Sequence, residues 1–154
     1  MNLLVDIGNT LTKIAVSDGK SILTEFKLRS IDLDFIKDTI EDNNIKNSAI
    51  SNVRKPNQKL FDLCNSKSNL YTFNKEIRLP FNNPYDDGLV GEDRLSLILG
   101  AYSLYPQDNV LVVDLGTCIT YDIKTSKNDY QAGGISPGLT LRKKSLSSGT
   151  VNLN

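Results

Sequence analysis

Three short stretches of the 154-residue chain carry side chains whose types and spacing suit phosphoryl chemistry. The first is Asp6-Ile7-Gly8-Asn9-Thr10. A hairpin turning on that glycine would set the backbone N–H groups of Gly8, Asn9 and Thr10 around a concave bend, where phosphate oxygens can be cradled. An ordinary glycine-asparagine turn with a stray acid would explain the same residues. A second copy separates the two readings: Val112-Val113-Asp114-Leu115-Gly116-Thr117 repeats Leu4-Val5-Asp6-Ile7-Gly8-Asn9-Thr10 with one residue fewer, and Asp6 and Asp114 stand 108 positions apart. Two such turns facing one another would grip one polyphosphate. Carboxylates beside a polyphosphate repel it, so Asp6 and Asp114 require a cation, and magnesium commonly takes only one or two carboxylates while keeping much of its water. Lys13 could offset phosphate charge as well, or be a plain exposed strand lysine.

The second stretch is Gly91-Glu92-Asp93-Arg94. Glu92 and Asp93 could be first-turn acids at the positive end of a helix. Beside ATP, however, an aspartate next to an arginine is a phosphoryl-transfer pair, in which Asp93 accepts the proton of an attacking hydroxyl and Arg94 steadies an anionic substrate. The third stretch is Gly133-Gly134-Ile135-Ser136-Pro137-Gly138. It is either a sharp connection or a place where a nucleotide's phosphate or ribose approaches the backbone before a helix.

Composition removes competing chemistries. The chain holds no histidine, which excludes Ser-His-Asp and Cys-His nucleophiles and every His-ligated metal site. A general base must then be a carboxylate, lysine, tyrosine or cysteine. Cys64 and Cys118 form no CxxC pair, so neither a disulfide framework nor a zinc knuckle is expected, and each should be a reduced, buried thiol. Lys plus Arg equals Asp plus Glu at 18 each, so no electrostatic footprint for nucleic acid or anionic lipid is expected. Arg142-Lys143-Lys144 reads as the solvated face of a helix. No apolar run approaches the ~18 residues of a membrane span, and Asp6 interrupts a signal-peptide pattern; a cytoplasmic protein is expected.

The elements that must position these groups follow from hydrophobic periodicity. Strands are expected over 2–7, 11–16 and 21–28, with a tight glycine turn between the first two. A helix over 32–43 behind Ser30 as cap, a strand over 48–53, a helix over 56–65 and a strand over 69–73 complete a ribonuclease-H-like order. Residues 79–88 read as loop. A helix over 95–104 then leads to strands over 109–115, 119–123 and 130–136, which repeat the opening meander, and to a helix over 139–146. The simplest account is an internal duplication. The expected fold is α/β, with tandem ribonuclease-H-like domains of the actin-like ATPase type. Residues 1–106 form the first domain with a substrate loop and a linking helix, and 107–154 the start of the second, inside which the chain is expected to end.

Taken in order, DIGNT at 6–10, GEDR at 91–94 followed by LSLILGA, DLGT at 114–117 followed by Thr120-x-Asp122, and GGISPGL at 133–139 resemble the signature of the type III pantothenate kinases along essentially the whole chain. The resemblance implies ATP-dependent phosphorylation of the primary hydroxyl of pantothenate, the first step towards coenzyme A. It implies that Asp6, Ile7, Gly8, Asn9, Thr10 and Lys13 bind ATP phosphates, with Gly116 and Thr117 also at the nucleotide. Gly91, Glu92, Asp93 and Arg94 would contact pantothenate, Asp93 being the proton acceptor, and Tyr85 is a further candidate contact. Asp114 would hold the monovalent cation, potassium or ammonium, beside the Mg²⁺ that the residues alone allow at Asp6 or Asp114, and a homodimer is implied as the partner state. The family continues beyond this length. The segment around Thr150 and Leu153 resembles its Thr-Ala-x-Leu-Pro, with Asn154 in place of proline. An unpaired sheet edge, an uncovered sheet face and little kinase activity are therefore expected of this form. Rival readings are a non-catalytic nucleotide-binding regulator of the same fold and another small-molecule kinase of the superfamily.

Overall fold

The computed structural model describes residues 1–73, 77–86 and 88–149; Asp87 and the segment from Thr150 to Asn154 lie outside them. The chain divides into two compact units, Met1–Ile77 with Gly91–Asp93, and Arg78–Val90 with Arg94–Asn154.

In the first unit, β1 (Asn2–Ile7), β2 (Thr12–Ser17) and β3 (Ile22–Leu28) form the expected antiparallel meander. α1 (Leu33–Asp42), β4 (Asn47–Asn52), α2 (Gln58–Lys67) and β5 (Asn69–Thr72) follow, and the sheet order is β3-β2-β1-β4-β5. β4 runs parallel to β1 and β5 parallel to β4, so each parallel step needs a crossover, which the helices supply. Strand alternation points Leu3, Val5, Ile7, Ile14, Val16 and Ile50 to one face. They bury there with Ile36, Ile40, Leu60 and Cys64 of the two helices. Both helices start on side-chain caps. Asp32 accepts from Phe35 N at 3.0 Å and Asn57 from Leu60 N at 3.2 Å. Asp32 therefore takes the capping role expected of Ser30, and Pro56 precedes the second cap instead of entering the helix. Burial pushes the Cys64 thiol up to about 11.

α3 (Glu92–Leu104) starts three residues before the expected Leu95, so Glu92, Asp93 and Arg94 lie in its first turn, with Gly91 just ahead of it. In the second unit, β6 (Val110–Leu115), β7 (Cys118–Lys124) and β8 (Tyr130–Pro137) form an antiparallel sheet in that order. The described residues of the 79–88 stretch are irregular as expected, apart from one bridge between Asn82 and Asp129. Phe81, Val90, Ile98 and Tyr130 make the apolar core. α4 (Leu139–Gly149) buries none of its described residues, and Arg142, Lys143 and Lys144 are solvated on it. Cys118 is half-buried, not buried as expected, because it sits at the start of β7 beside the exposed Gly116-Thr117 turn. Among the described residues no helix is long and apolar enough to cross a membrane.

Candidate active site

The first unit gathers its reactive side chains at the carboxyl ends of β1 and β4. The β1–β2 hairpin pairs Asp6 with Lys13 and Ile7 with Thr12, and Gly8 N donates to Leu11 O at 3.1 Å to close the turn. A Cβ on Gly8 would stand 3.3 Å from that same carbonyl, tighter than ordinary contact, so glycine fits the bend best. Asn9 and Thr10 are exposed on it. On the other side of β1, Asp6 pairs with Ser51 and Ile7 with Asn52, and Val53 N extends the ladder to Ile7 O at 3.1 Å. Lys13, Asp6 and Ser51 therefore form a row across three strands, on the face opposite the apolar core. Lys13 Nζ lies 3.4 Å from Asp6 Oδ2 with both side chains well exposed, an ion pair that solvent screens and that adds little stability.

The first turn of α3 is tied to the same strand ends. Glu92 Oε2 accepts from Asn52 N at 2.7 Å. Burial raises the pKa of Glu92, the Asn52 N–H opposes that rise, and the neighbouring Asp93 charge adds to it. Asp93 folds back over Gly91, where any Cβ would collide with its Oδ1 and would lie 3.7 Å from Val53 Cγ1. Glycine at position 91 thus leaves room for the Asp93 carboxylate beside it.

In the second unit, two motifs that read separately in the sequence form one structure. Gly116 N donates to Cys118 O at 2.9 Å, and Gly138 N donates to Thr117 O at 3.0 Å. A Cβ on Gly138 would collide with the carbonyl oxygens of Gly116 and Thr117. The end of GGISPG is therefore seated on the DLGT turn, next to Asp114, which pairs with Thr120 across β6 and β7.

Arg94 is buried and forked onto Asp122, Nε to Oδ2 at 2.9 Å and Nη2 to Oδ1 at 2.7 Å. Its Nη2 also reaches the carbonyls of Tyr121 and Gly133 at 3.4 and 3.3 Å. Tyr130 OH donates to Asp122 Oδ1 at 2.8 Å, and burial, with the Asp122 carboxylate, raises its pKa. Tyr85 packs edge-on against Tyr130, and its OH accepts from Ala132 N at 2.9 Å. Tyr85 and Arg94, both candidate substrate contacts, thus converge on one knot, and the arginine's planar fork is matched to a carboxylate of the protein itself.

Sequence reasoning missed three members of these sites. Asp122 stood only inside a Thr-x-Asp pattern, Ser51 only inside a strand, and Lys124 nowhere. Lys124, fully buried, donates through Nζ to Tyr105 O, Pro106 O and Asp108 O at 2.7, 2.6 and 3.1 Å. The available signal was charge at alternate positions, Asp122 and Lys124, on the inward face of a strand. Among the described residues no group of three or more Cys, Asp and Glu side chains could hold a metal ion. A divalent cation would have to rely on single carboxylates, its own water and a ligand's oxygens, which suits magnesium.

The sequence model of the type III pantothenate kinases matches residues 2–154. The chain is similar to the type III pantothenate kinase of Christiangramia forsetii, with 37% identity over 99% of this chain and 64% of that protein. It is similar to that of Flavobacterium johnsoniae at 36% identity with the same coverage. The chain thus spans about two thirds of the length of these relatives. A solved structure, the type II variant of the Aquifex aeolicus Ppx/GppA phosphatase, aligns over 98% of this chain and 55% of that one with a TM-score of 0.52 and 18% identity. That likeness is one of fold, and the fold is the actin-like ATPase type expected from the duplicated openings.

Proposed function

Because the chain belongs to the type III pantothenate kinase family, we propose that it is the catalytic amino-terminal part of an enzyme that phosphorylates pantothenate with ATP, giving 4'-phosphopantothenate on the way to coenzyme A. The observation that carries this reading is where Asp93 lies: its Oδ1 stands against Gly91, at the position a Cβ would take, and that position is 3.7 Å from Val53 Cγ1, just past β4, the strand that pairs with β1 and Asp6.

In this reading Asp93 takes the proton of the primary hydroxyl as that oxygen bonds to the γ-phosphorus and the bond to ADP breaks. Gly8, Asn9 and Thr10 offer backbone donors to the phosphates, with Ile7 setting the turn, and Gly116 and Thr117 serve the nucleotide from the second copy. Lys13 adds positive charge. Asp6 would hold magnesium, which when bound neutralises phosphate charge, and Asp114 the potassium or ammonium ion. Gly91 and Glu92 border the pantothenate site, with Tyr85 as a further contact. Arg94 serves that site from within the Asp122 fork, as a rigid support more than as a free anion receptor. Residues 1–106 are the first ribonuclease-H-like domain with its substrate loop and linking helix, 107–154 the start of the second, and the working form is a cytoplasmic homodimer.

The test is a coupled assay of ATP consumption with pantothenate, simple sugars and acetate on the family-length protein and on this chain, the turnover comparisons being made in the family-length protein, together with calorimetric titration of ATP and pantothenate into both. Asp93→Asn should cut pantothenate-dependent turnover by about 10²–10⁴-fold and leave ATP binding intact. Turnover confined to sugars or acetate, equal turnover in the variant, or binding of ATP without pantothenate would overturn the proposal.

A further inference from the structure

The row Lys13–Asp6–Ser51 has one member without a task. Ser51 is 9% exposed, and its Oγ has no hydrogen-bond partner among the described residues. A buried hydroxyl left in that state is destabilising, and buried polar groups almost always find a partner. The register fixes where this one is directed. Ser51 is the Cα partner of Asp6 on β1, as Lys13 is on the other side, and paired residues on neighbouring strands share a face. β5 pairs with β4 only as far as Ile50 with Thr72, so the ladder on that side stops one residue before Ser51. Ser51 thus stands one strand from Asp6, at a backbone spacing of roughly 4.8 Å, with its side chain on the same face.

We propose that Ser51 is a second protein oxygen of the magnesium site at Asp6, its Oγ accepting a hydrogen bond from a water on the ion. The inference rests on the nucleotide-binding reading of Asp6. The donor set fits a strongly hydrated cation. One carboxylate binds it directly or through water, magnesium keeps several waters that must donate to something, and Ser51 supplies an uncharged acceptor where a second carboxylate would repel the phosphates. Lys13 cannot take that role, because an ammonium only donates. Second-layer partners of this kind commonly set metal affinity by a factor of ten or more.

The experiment titrates magnesium against binding of a non-hydrolysable ATP analogue by calorimetry, using the parent chain and the Ser51→Ala, Ser51→Thr and Asp6→Ala variants, with a thermal melt of each without ligand. Ser51→Ala should require about tenfold more magnesium for half-maximal nucleotide binding. Ser51→Thr, which keeps the hydroxyl, should restore the parent value. Without ligand the Ser51→Ala melt should be unchanged or higher, since the substitution removes an orphaned polar group. Parent-like magnesium dependence in Ser51→Ala alongside loss in Asp6→Ala overturns the role of Ser51 and leaves the nucleotide site standing. A lowered melting temperature with unaltered binding makes Ser51 a structural hydroxyl and also overturns it. Failure of the parent chain to bind the magnesium nucleotide removes the nucleotide reading and this inference together.

Discussion

β1 and β6 carry the same motif and meet opposite fates. Leu3, Val5 and Ile7 on β1 are 0–2% exposed, whereas the matching Leu111, Val113 and Leu115 on β6 are 61%, 44% and 76% exposed. In the first unit α1 and α2 lay Ile36, Ile40, Leu60 and Cys64 on that face. In the second unit the described residues cover the other face, where Thr120, Asp122 and Lys124 are buried. Asp122 occupies the lattice position of Ala15, and Lys124 that of Ser17, when β7 is laid on β2. The strand–turn motif therefore fixes a hairpin, and the elements supplied around it decide which side becomes the interior and whether that interior is oily or charged.

The charged interior should be the more fragile of the two. Asp122→Ala leaves the Arg94 guanidinium buried without its carboxylate and is expected to cost about 3–5 kcal/mol, read by urea denaturation. Amide exchange should show β7 and β8 losing protection while β1 and β4 keep theirs; equal loss in both sheets would mean that the two units do not have separate cores. Next comes the direct exchange of matched positions. Leu3→Ala should cost about 2–5 kcal/mol through the cavity it opens, and Leu111→Ala at the same place in the repeat should stay within about 0.5 kcal/mol. Similar penalties at both positions would show that something covers the β6 face in solution.

The smallest effect concerns Glu92, the acid joining α3 to β4. Its folded pKa is raised, so between its ordinary value near 4.5 and the raised value the native state binds more protons than the unfolded chain. Stability then falls as pH rises through that window. Glu92→Gln, which can still accept from Asn52 N, should flatten this slope and raise the thermal midpoint slightly at neutral pH. An unchanged slope in melts from pH 4 to 7 would locate the dependence elsewhere.

The first meander was legible because alternation and a glycine turn are local signals, and the second because it repeats the first. α3 was placed three residues late, since apolar spacing begins at Leu95 while the helix begins on acids that carry no such period. The cap of α1 moved from Ser30 to Asp32, because both are capping residues and only geometry selects the one that reaches Phe35 N. The site was legible where chemistry and local spacing coincide, as at Gly91-x-Asp93. The partnership of Arg94 with Asp122 spans 28 residues, and the placing of Ser51 beside Asp6 depends on parallel register. Neither distance nor register leaves a trace in neighbouring letters.

Lys124 brings one positive charge to three converging carbonyl oxygens where α3 gives way to β6, over the ring of Tyr102. Elsewhere such a cage is filled by a dissolved potassium ion; here the ion is tethered to the chain. The lysine thus does at this helix-to-sheet joint what an exchangeable ion would otherwise have to do, and does it without drawing on the surrounding electrolyte.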